Sequence, residues 1–461
     1  MTNLFAEKKV LVMGLGRFGG GLDVVKFAQK AGAKVTVTDL APADKLADSL
    51  EQLKDLNGIE YHLGSHKKTD FEQADIIIAN PAVTPDNEFL EIARKNNRNV
   101  TYQINIFFQL CPATIIGITG SNGKSTTTAL TAHLLKNTQY ASRNTHYENV
   151  FLTGNIGNEP FLCLLDKIKP DDLVVMEISS FQLEQLAQIK KAPDVSLITN
   201  LSPNHLDRHK TFENYCAAKE KIFKFQKLDE EKPAVSIFNA DDELTGKWFE
   251  KYKNDKGRLC LKFSIDDVTG DIKRLFKLPG LANLSNLAAA LSITKYFGLT
   301  NEQVKKGVST FKALPHRLEL VADKNGVRWY NDSKATTPDS SIAALQAFDK
   351  PIVLIAGGYD KNIPFDALGE EIAKRVKAAI LIGRTAPKIA SAIRVTGHGP
   401  RVTEIIFADS LTQAVQEAKN LARPGDVVLL SPACASYDMF DNYIHRGREF
   451  TRLVSALKST A

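Results

Sequence analysis

Thr119-Gly120-Ser121-Asn122-Gly123-Lys124-Ser125-Thr126 gathers glycines, a lysine and hydroxyl side chains into one short run, between the apolar stretch Ile115–Ile118 and a helical pattern ending near Leu135. A strand passing through a glycine loop into a helix turns backbone N–H groups and a helix N-terminus toward an anion. Lys124 then reaches the β- and γ-phosphates and the Ser125 hydroxyl holds Mg²⁺, so the loop reads as a site for ATP or GTP. The competing reading is a glycine turn that binds nothing. The spacing is not the strict Walker form, because Ile118 stands five residues before Gly123 and the loop glycine comes late, at Gly120.

Glu177 closes the apolar pattern Val174–Ile178. A carboxylate at a strand's carboxyl end beside a phosphate loop can hold Mg²⁺ together with Ser125; an ordinary N-cap acid is its alternative. Asn200-Leu201-Ser202-Pro203-Asn204-His205-Leu206-Asp207-Arg208-His209 follows the strand pattern Val195–Thr199. On its own His209 reads as packing or surface. Lys219 lies among Lys221 and Lys224, where a solvated helix lysine is the plain alternative.

Gly14-Leu15-Gly16-Arg17-Phe18-Gly19 follows another strand pattern, and Asp39 ends the next one. This is a dinucleotide fingerprint, yet its physics asks only for a diphosphate at a helix N-terminus and a carboxylate nearby. UDP satisfies that as well as NAD does, and because the same chain carries a nucleoside-triphosphate loop, a UDP-sugar is the favoured reading over NAD or a purely structural turn.

These loops need parallel sheets to hold them. Val10–Met13, Val35–Thr38 and Ile76–Ala79 alternate with helical stretches, and Val353–Ala356, Ala379–Ile382 and Val427–Leu430 do the same near the C-terminus. The expectation is an α/β chain of three domains: a Rossmann-like domain over 1–102, a central P-loop ATPase-type domain over 103–314, and a C-terminal Rossmann-like domain over 315–461, with Pro315 at the last boundary. A length of 461 residues is too great for one core. No apolar run is long enough to cross a bilayer and Met1–Lys9 has no signal region, so a cytosolic protein is expected. The five cysteines lack metal-ligand spacing and read as free thiols. A net charge of +6, spread over mixed runs such as Glu250–Arg258 that read as solvated surface, suits anionic small molecules better than nucleic acid. The polar stretch Asn137–Asn149 reads as an exposed loop.

The form Thr-Gly-x-Asn-Gly-Lys-Ser-Thr resembles the Mur ligases of peptidoglycan synthesis and their relatives, the folylpolyglutamate synthases. The resemblance implies that the first domain holds the UDP of the substrate through Gly16, Arg17, Asp39 and Asn80, although Leu40 and Ala41 offer no polar contact after the acid. It implies that Asn155, in Gly154-Asn155-Ile156-Gly157, reaches the substrate, and that His205 and Lys219 bound a second Mg²⁺, Lys219 as a carbamate because a bare ammonium would repel the metals. Gly280-Leu281-Ala282-Asn283-Leu284-Ser285-Asn286 resembles the adenine-side motif but carries Ala282 where histidine is usual; a capped buried helix is the alternative for Asn283 and Asn286. Pro315-His316-Arg317 and Asn331-Asp332-Ser333-Lys334-Ala335-Thr336 would supply Arg317 to phosphate, Asp332 to ribose and Lys334 to the transferred phosphoryl group.

The closing block, Ser431-Pro432-Ala433-Cys434-Ala435-Ser436-Tyr437-Asp438 through Tyr443 and Arg446-Gly447-Arg448-Glu449-Phe450, resembles the D-glutamate-adding branch of the family over essentially the whole chain. That implies ATP, Mg²⁺ (two ions), UDP-N-acetylmuramoyl-L-alanine and D-glutamate as its small-molecule set, an acyl-phosphate mechanism, and a monomer without nucleic acid or membrane. Lys361, Ser436, Thr336 and Tyr443 would hold D-glutamate; for Lys361 a surface lysine after a glycine turn is the alternative, and Tyr359 stands where one common version of the motif has an acid. Other readings remain: a folylpolyglutamate synthase or another amide ligase of the same superfamily, an NAD-linked oxidoreductase, or a silent nucleotide-binding protein.

Overall fold

Three separate sheets carry the loops. The computed structural model describes residues 4–16, 19–136, 147–156, 160–395 and 403–457, and Asp207 by its backbone alone. Arg17, Phe18, Gly157 and residues 137–146 therefore lie outside the described residues.

The first sheet has β1 (Lys9–Met13), β2 (Lys34–Asp39), β3 (Glu60–Leu63), β4 (Ile76–Ala79) and β5 (Asn99–Tyr102), all parallel, in the order β3-β2-β1-β4-β5. The second has β6 (Thr114–Thr119), β7 (Val150–Gly154), β8 (Leu173–Glu177), β9 (Val195–Ile198), β10 (Ala234–Asn239) and β11 (Arg258–Phe263), again all parallel, in the order β11-β10-β9-β6-β8-β7. β6 and β8 are apolar without alternation because they are covered on both faces. Both sheets belong to one compact unit, Met1–Asp267 with Asn286–Gly307.

The other unit, Val268–Ser285 with Val308–Ala461, holds the third sheet. Its strands are β12 (Glu319–Lys324), β13 (Val327–Asn331), β14 (Ile352–Gly357), β15 (Val376–Ile382), β16 (Glu404–Phe407) and β17 (Val427–Leu430), in the order β12-β13-β17-β14-β15-β16. β14 shows why its run reads as purely apolar: Val353 and Ile355 join the core on one face while Leu354 and Ala356 join the core on the other. Unlike its neighbours, β12 is antiparallel, folded onto β13 through Asn325-Gly326. Positive φ at both residues (53° and 75°) makes this a hairpin turn with the hand that suits twisted strands.

In each sheet the strand order reverses beside one strand, and the crevice there opens at the strands' carboxyl ends. Gly14 follows β1 and Asn80 follows β4; Gly120 follows β6 between β8 and β9; Gly358 follows β14 and Ser431 follows β17. All three glycine loops thus lie at reversal points. Two surface expectations change. Tyr147, at the end of the polar stretch, is buried and its hydroxyl donates to the Leu135 carbonyl at 3.2 Å. Arg258, at the end of the mixed run, has a side chain 2% exposed and donates to Gln226, Ser236 and the Phe223 carbonyl. Among the described residues no helix is long and apolar enough to cross a membrane.

Candidate active site

The phosphate loop is closed by its neighbours. A Cβ on Gly120 would fall 1.9 Å from Thr199 Oγ1, and one on Gly123 2.0 Å from Asn286 Oδ1. Gly120 and Gly123 also have φ of +144° and +81°, so nothing but glycine fits either position. The Ser121 amide donates to the Asn200 carbonyl (2.9 Å), the Asn122 amide to Asn200 Oδ1 (3.0 Å), and Tyr215 Oη to Ser121 Oγ (3.1 Å). Lys124 opens the helix Lys124–Lys136, and its Nζ donates to the carbonyls of Gly120 (2.9 Å) and Ser121 (2.8 Å) across the mouth of the loop. Thr126 is buried behind it.

Ser125 and Glu177 come together as the sequence suggests: Ser125 Oγ donates to Glu177 Oε2 at 2.5 Å, and Asn155 Nδ2 donates to Oε1 at 3.2 Å. Glu177 is not the N-cap acid of the next helix. Ser179 takes that place, in a reciprocal capping box with Gln182. Asn155 reaches Glu177 because Gly154 lets β7 approach β8 so closely that a Cβ would lie 2.3 Å from the Glu177 carbonyl oxygen.

Lys219 is no solvated lysine. It is 1% exposed, Nζ donates to Thr119 Oγ1 at 3.3 Å, and the ammonium lies 4.8 Å from the Tyr215 ring centre. Burial, then the nearby Lys124 charge, holds its amine well below the usual lysine range, while Glu177 opposes the shift.

His205 adopts φ 52° and lies edge-on to Phe181, whose other contacts are the stacked His209 ring and the Arg208 guanidinium 4.0 Å from its centre. His209 is buried, hydrogen-bonded to Ser180 Oγ at 3.0 Å, and burial lowers its pKa, in keeping with a packing role. His205, Arg208, Lys221 and Asn155 line a cavity of about 1240 Å³. Sequence reasoning missed Arg208, which also donates to the Pro81 carbonyl at 3.0 Å; being one basic residue in a polar run, it carried no local signal.

Asn155 also lines a second cavity of about 790 Å³, built on Gly14–Gly16, Asp39, His66 and Asn80. Asp39 accepts the Gly16 amide at 3.1 Å and the Ala41 amide at 2.8 Å, fixing the glycine turn. Asn80 Nδ2 donates to the Gly14 carbonyl at 3.3 Å. His66, unmarked by any motif, enters this cavity because Thr38 Oγ1 holds its Nδ1 at 2.7 Å.

In the second unit, Asp332 accepts from Ser431 Oγ (2.9 Å) and the Leu318 amide (3.1 Å), and burial pushes its carboxyl up to about 7. Arg317 is half-buried. Lys334 Nζ lies 5.4 Å from the Tyr443 ring centre. Arg446, 1% exposed, donates to Ser333 Oγ, the Ser333 carbonyl and the Cys434 carbonyl, so it braces the segments bearing Lys334 and Ser436. Ser436 is buried, Thr336 half-buried and Lys361 exposed. Asp360 is committed to Lys388 at 2.5 Å. Asn283 Nδ2 donates to the Pro279 carbonyl at 2.7 Å, at the start of its own helix.

Three family descriptions match in succession: the MurD-like N-terminal domain of Mur ligases over residues 8–101, the Mur ligase middle domain over 118–294, and the Mur ligase glutamate ligase domain over 316–434. The chain is similar to the UDP-N-acetylmuramoylalanine--D-glutamate ligases of Roseiflexus sp. (strain RS-1) and Thermoanaerobacter sp. (strain X514), each 39% identical with 98% of this chain and 99% of the relative covered. In fold it is similar to UDP-N-acetylmuramate-alanine ligase MurC from Thermotoga maritima, with a TM-score of 0.59, 18% identity, and 98% and 100% of the two chains covered. It is also similar to MurF from Acinetobacter baumannii, with a TM-score of 0.54, 16% identity, and 98% and 92% covered. A phosphate loop paired with a buried carboxylate therefore sits in a chain matched along nearly its whole length, and the chain belongs to the Mur ligase family as a MurD-type, ATP-dependent ligase of peptidoglycan precursor synthesis.

Proposed function

We propose that this ligase joins D-glutamate to UDP-N-acetylmuramoyl-L-alanine, in the cytoplasm and as a monomer that needs neither nucleic acid nor membrane. An oxygen of the L-alanyl carboxylate attacks the γ-phosphorus of ATP and ADP leaves; the deprotonated D-glutamate amine attacks the acyl carbon, and phosphate leaves. The observation that carries the reading is the buried Ser125–Glu177 pair at the start of the phosphate-loop helix, in a chain whose relatives bear that substrate pair in their names.

Gly120, Ser121, Asn122, Gly123 and Thr126 shape the loop for phosphate, and Lys124 follows the γ-phosphoryl charge. The donor set suits a hard cation, since Ser125 and Glu177 offer oxygen and the glycine cradle leaves no room for a side chain. Two Mg²⁺ ions would be held by Ser125 with Glu177 and by His205 with Lys219. When bound, Mg²⁺ would supply positive charge to offset that of the phosphates. Lys219 acts there as a carbamate, formed when its neutral amine adds to CO₂ and releases a proton; the burial of Nζ beside Lys124 supports that, because a neutral amine is favoured there.

Gly16, Arg17, Asp39, Asn80, Asn155 and His205 bind the UDP-linked substrate, Asn155 near its phosphates or sugar. Asn283, Arg317, Asp332 and Lys334 serve nucleotide binding, while Thr336, Lys361, Ser436 and Tyr443 serve D-glutamate binding. The functional domains are 1–102, 103–314 and 315–461. The test is ADP release with each component omitted in turn. Turnover requires ATP, Mg²⁺, UDP-N-acetylmuramoyl-L-alanine and D-glutamate together; rapid ATP hydrolysis without the amine, or stimulation by folate in place of the UDP substrate, defeats the reading.

A further inference from the structure

Asp23 is a buried carboxylate that none of the chemistry above uses. It lies on the helix Gly20–Lys30, directly after the first glycine turn, and is 1% exposed. Its Oδ2 accepts from Gln103 Nε2 (2.6 Å), the Phe161 amide (3.0 Å) and the Leu162 amide (2.8 Å), and Oδ1 accepts the Cys163 amide at 3.0 Å. Three successive backbone N–H groups converging on one carboxylate is the way a helical start takes an anion. Here the anion comes from the domain of the first sheet and the N–H groups from the domain of the second. Such a charge is tolerated in the interior because every partner is a donor, and removing it strands those donors. At the far end of the same helix Lys30 meets Asp166 at 2.5 Å, but that pair is 71% and 54% exposed and adds little.

The two segments that Asp23 ties together both line one cavity. Gly19, Gly20 and Gln103 line it, as do Asn155, Pro160 and Phe161. Asn155 in turn donates to Glu177. We propose that Asp23 is a positioning residue that sets the separation of these segments and thereby the affinity for the uridine-linked substrate. The inference rests on the reading that this cavity takes that substrate.

The experiment compares the full chain with Asp23→Asn, Asp23→Glu and Lys30→Ala, in steady-state kinetics and in calorimetric titration with UDP-N-acetylmuramoyl-L-alanine alone. Asp23→Asn raises the KM and the titrated Kd for that substrate roughly tenfold, with kcat and the KM values for ATP and D-glutamate within about twofold. Asp23→Glu keeps the charge but lengthens the tether by one methylene; it raises the same KM about threefold, and it decides the matter if the asparagine variant does not fold. Lys30→Ala changes nothing. A lowered melting temperature with unchanged substrate affinity, or a rise in all three KM values together, overturns the inference and makes Asp23 merely structural. If the unmutated protein does not bind the UDP substrate at all, it is the reading of the cavity that fails; if it binds but Asp23→Asn and Asp23→Glu bind equally well, only the role of Asp23 fails.

Discussion

Ser125 Oγ and Glu177 Oε2 meet at 2.5 Å, joining the first turn of the phosphate-loop helix to the end of β8. The two residues are 52 positions apart, and it is the pairing of β6 with β8 that brings them together. Glu177→Gln keeps the shape and an acceptor for Ser125 but removes the charge a cation needs. It is expected to lower kcat by about 10²–10³, the usual cost of losing one preorganised electrostatic contact, and to raise the Mg²⁺ concentration required. Titration of activity against Mg²⁺, with chelator as the zero point, checks this. Wild-type Mg²⁺ dependence in Glu177→Gln would place the cation elsewhere.

Lys219 is enclosed by Thr119 and Tyr215. Lys219→Ala is expected to be inactive and partly restored by formate, a small carboxylate that would stand in for the proposed carbamate. Lys219→Arg is expected to be inactive and not restored, since guanidinium does not add CO₂ at neutral pH. Activity in the arginine variant, or no formate response in the alanine variant, removes the carbamate from the account.

Asp332 gives a pH dependence with a definite sign. Its carboxyl titrates near 7 in the folded chain because burial disfavours the anion, against about 3.9 when unfolded. Between those values the folded state holds the extra proton, so this group's contribution to stability is full below about pH 4 and is lost as pH rises to about 7. Asp332→Asn cannot ionise and loses that dependence. Melting temperatures from pH 4.5 to 7.5 are therefore expected to fall for the wild type relative to the variant as pH rises; parallel curves would mean that Asp332 is not the titrating group.

Lys361 is exposed on the segment after β14, whose Tyr359 amide bonds to the Ala435 carbonyl beside Ser436. Lys361→Ala is expected to raise the KM for D-glutamate about ten- to a hundredfold and leave the KM for ATP nearly unchanged, as one charge-assisted contact is lost. An effect confined to ATP would assign the lysine to the nucleotide.

Most strands that carry the site were legible as apolar runs ending in a glycine or polar loop, as at Ile115–Ile118 and Val427–Leu430, whereas β7 and β13, which lead to Asn155 and Asp332, were not read from the sequence. β11 was not, because it is an edge strand with Arg258 and Lys262 in its six residues and little of it is buried. The β12–β13 hairpin left a readable signal in Asn325-Gly326, but a turn between two half-polar strands does not reveal that β13 continues into a parallel pairing with β17. Lys219 was legible only through its resemblance to the family, since its burial depends on Thr119, 100 residues earlier. Asp23 was invisible for the same physical reason: its amide partners lie 138 to 140 residues away, and no local pattern encodes them.

The most direct measurement supplies ATP, Mg²⁺ and UDP-N-acetylmuramoyl-L-alanine with D-glutamate, L-glutamate, L-lysine or meso-diaminopimelate in turn, following phosphate release and the product by mass spectrometry. The account predicts equal amounts of phosphate and of the D-glutamyl amide product, and neither in quantity with the other amines. Preferred use of L-lysine or meso-diaminopimelate, or phosphate release with no amide product, would contradict it.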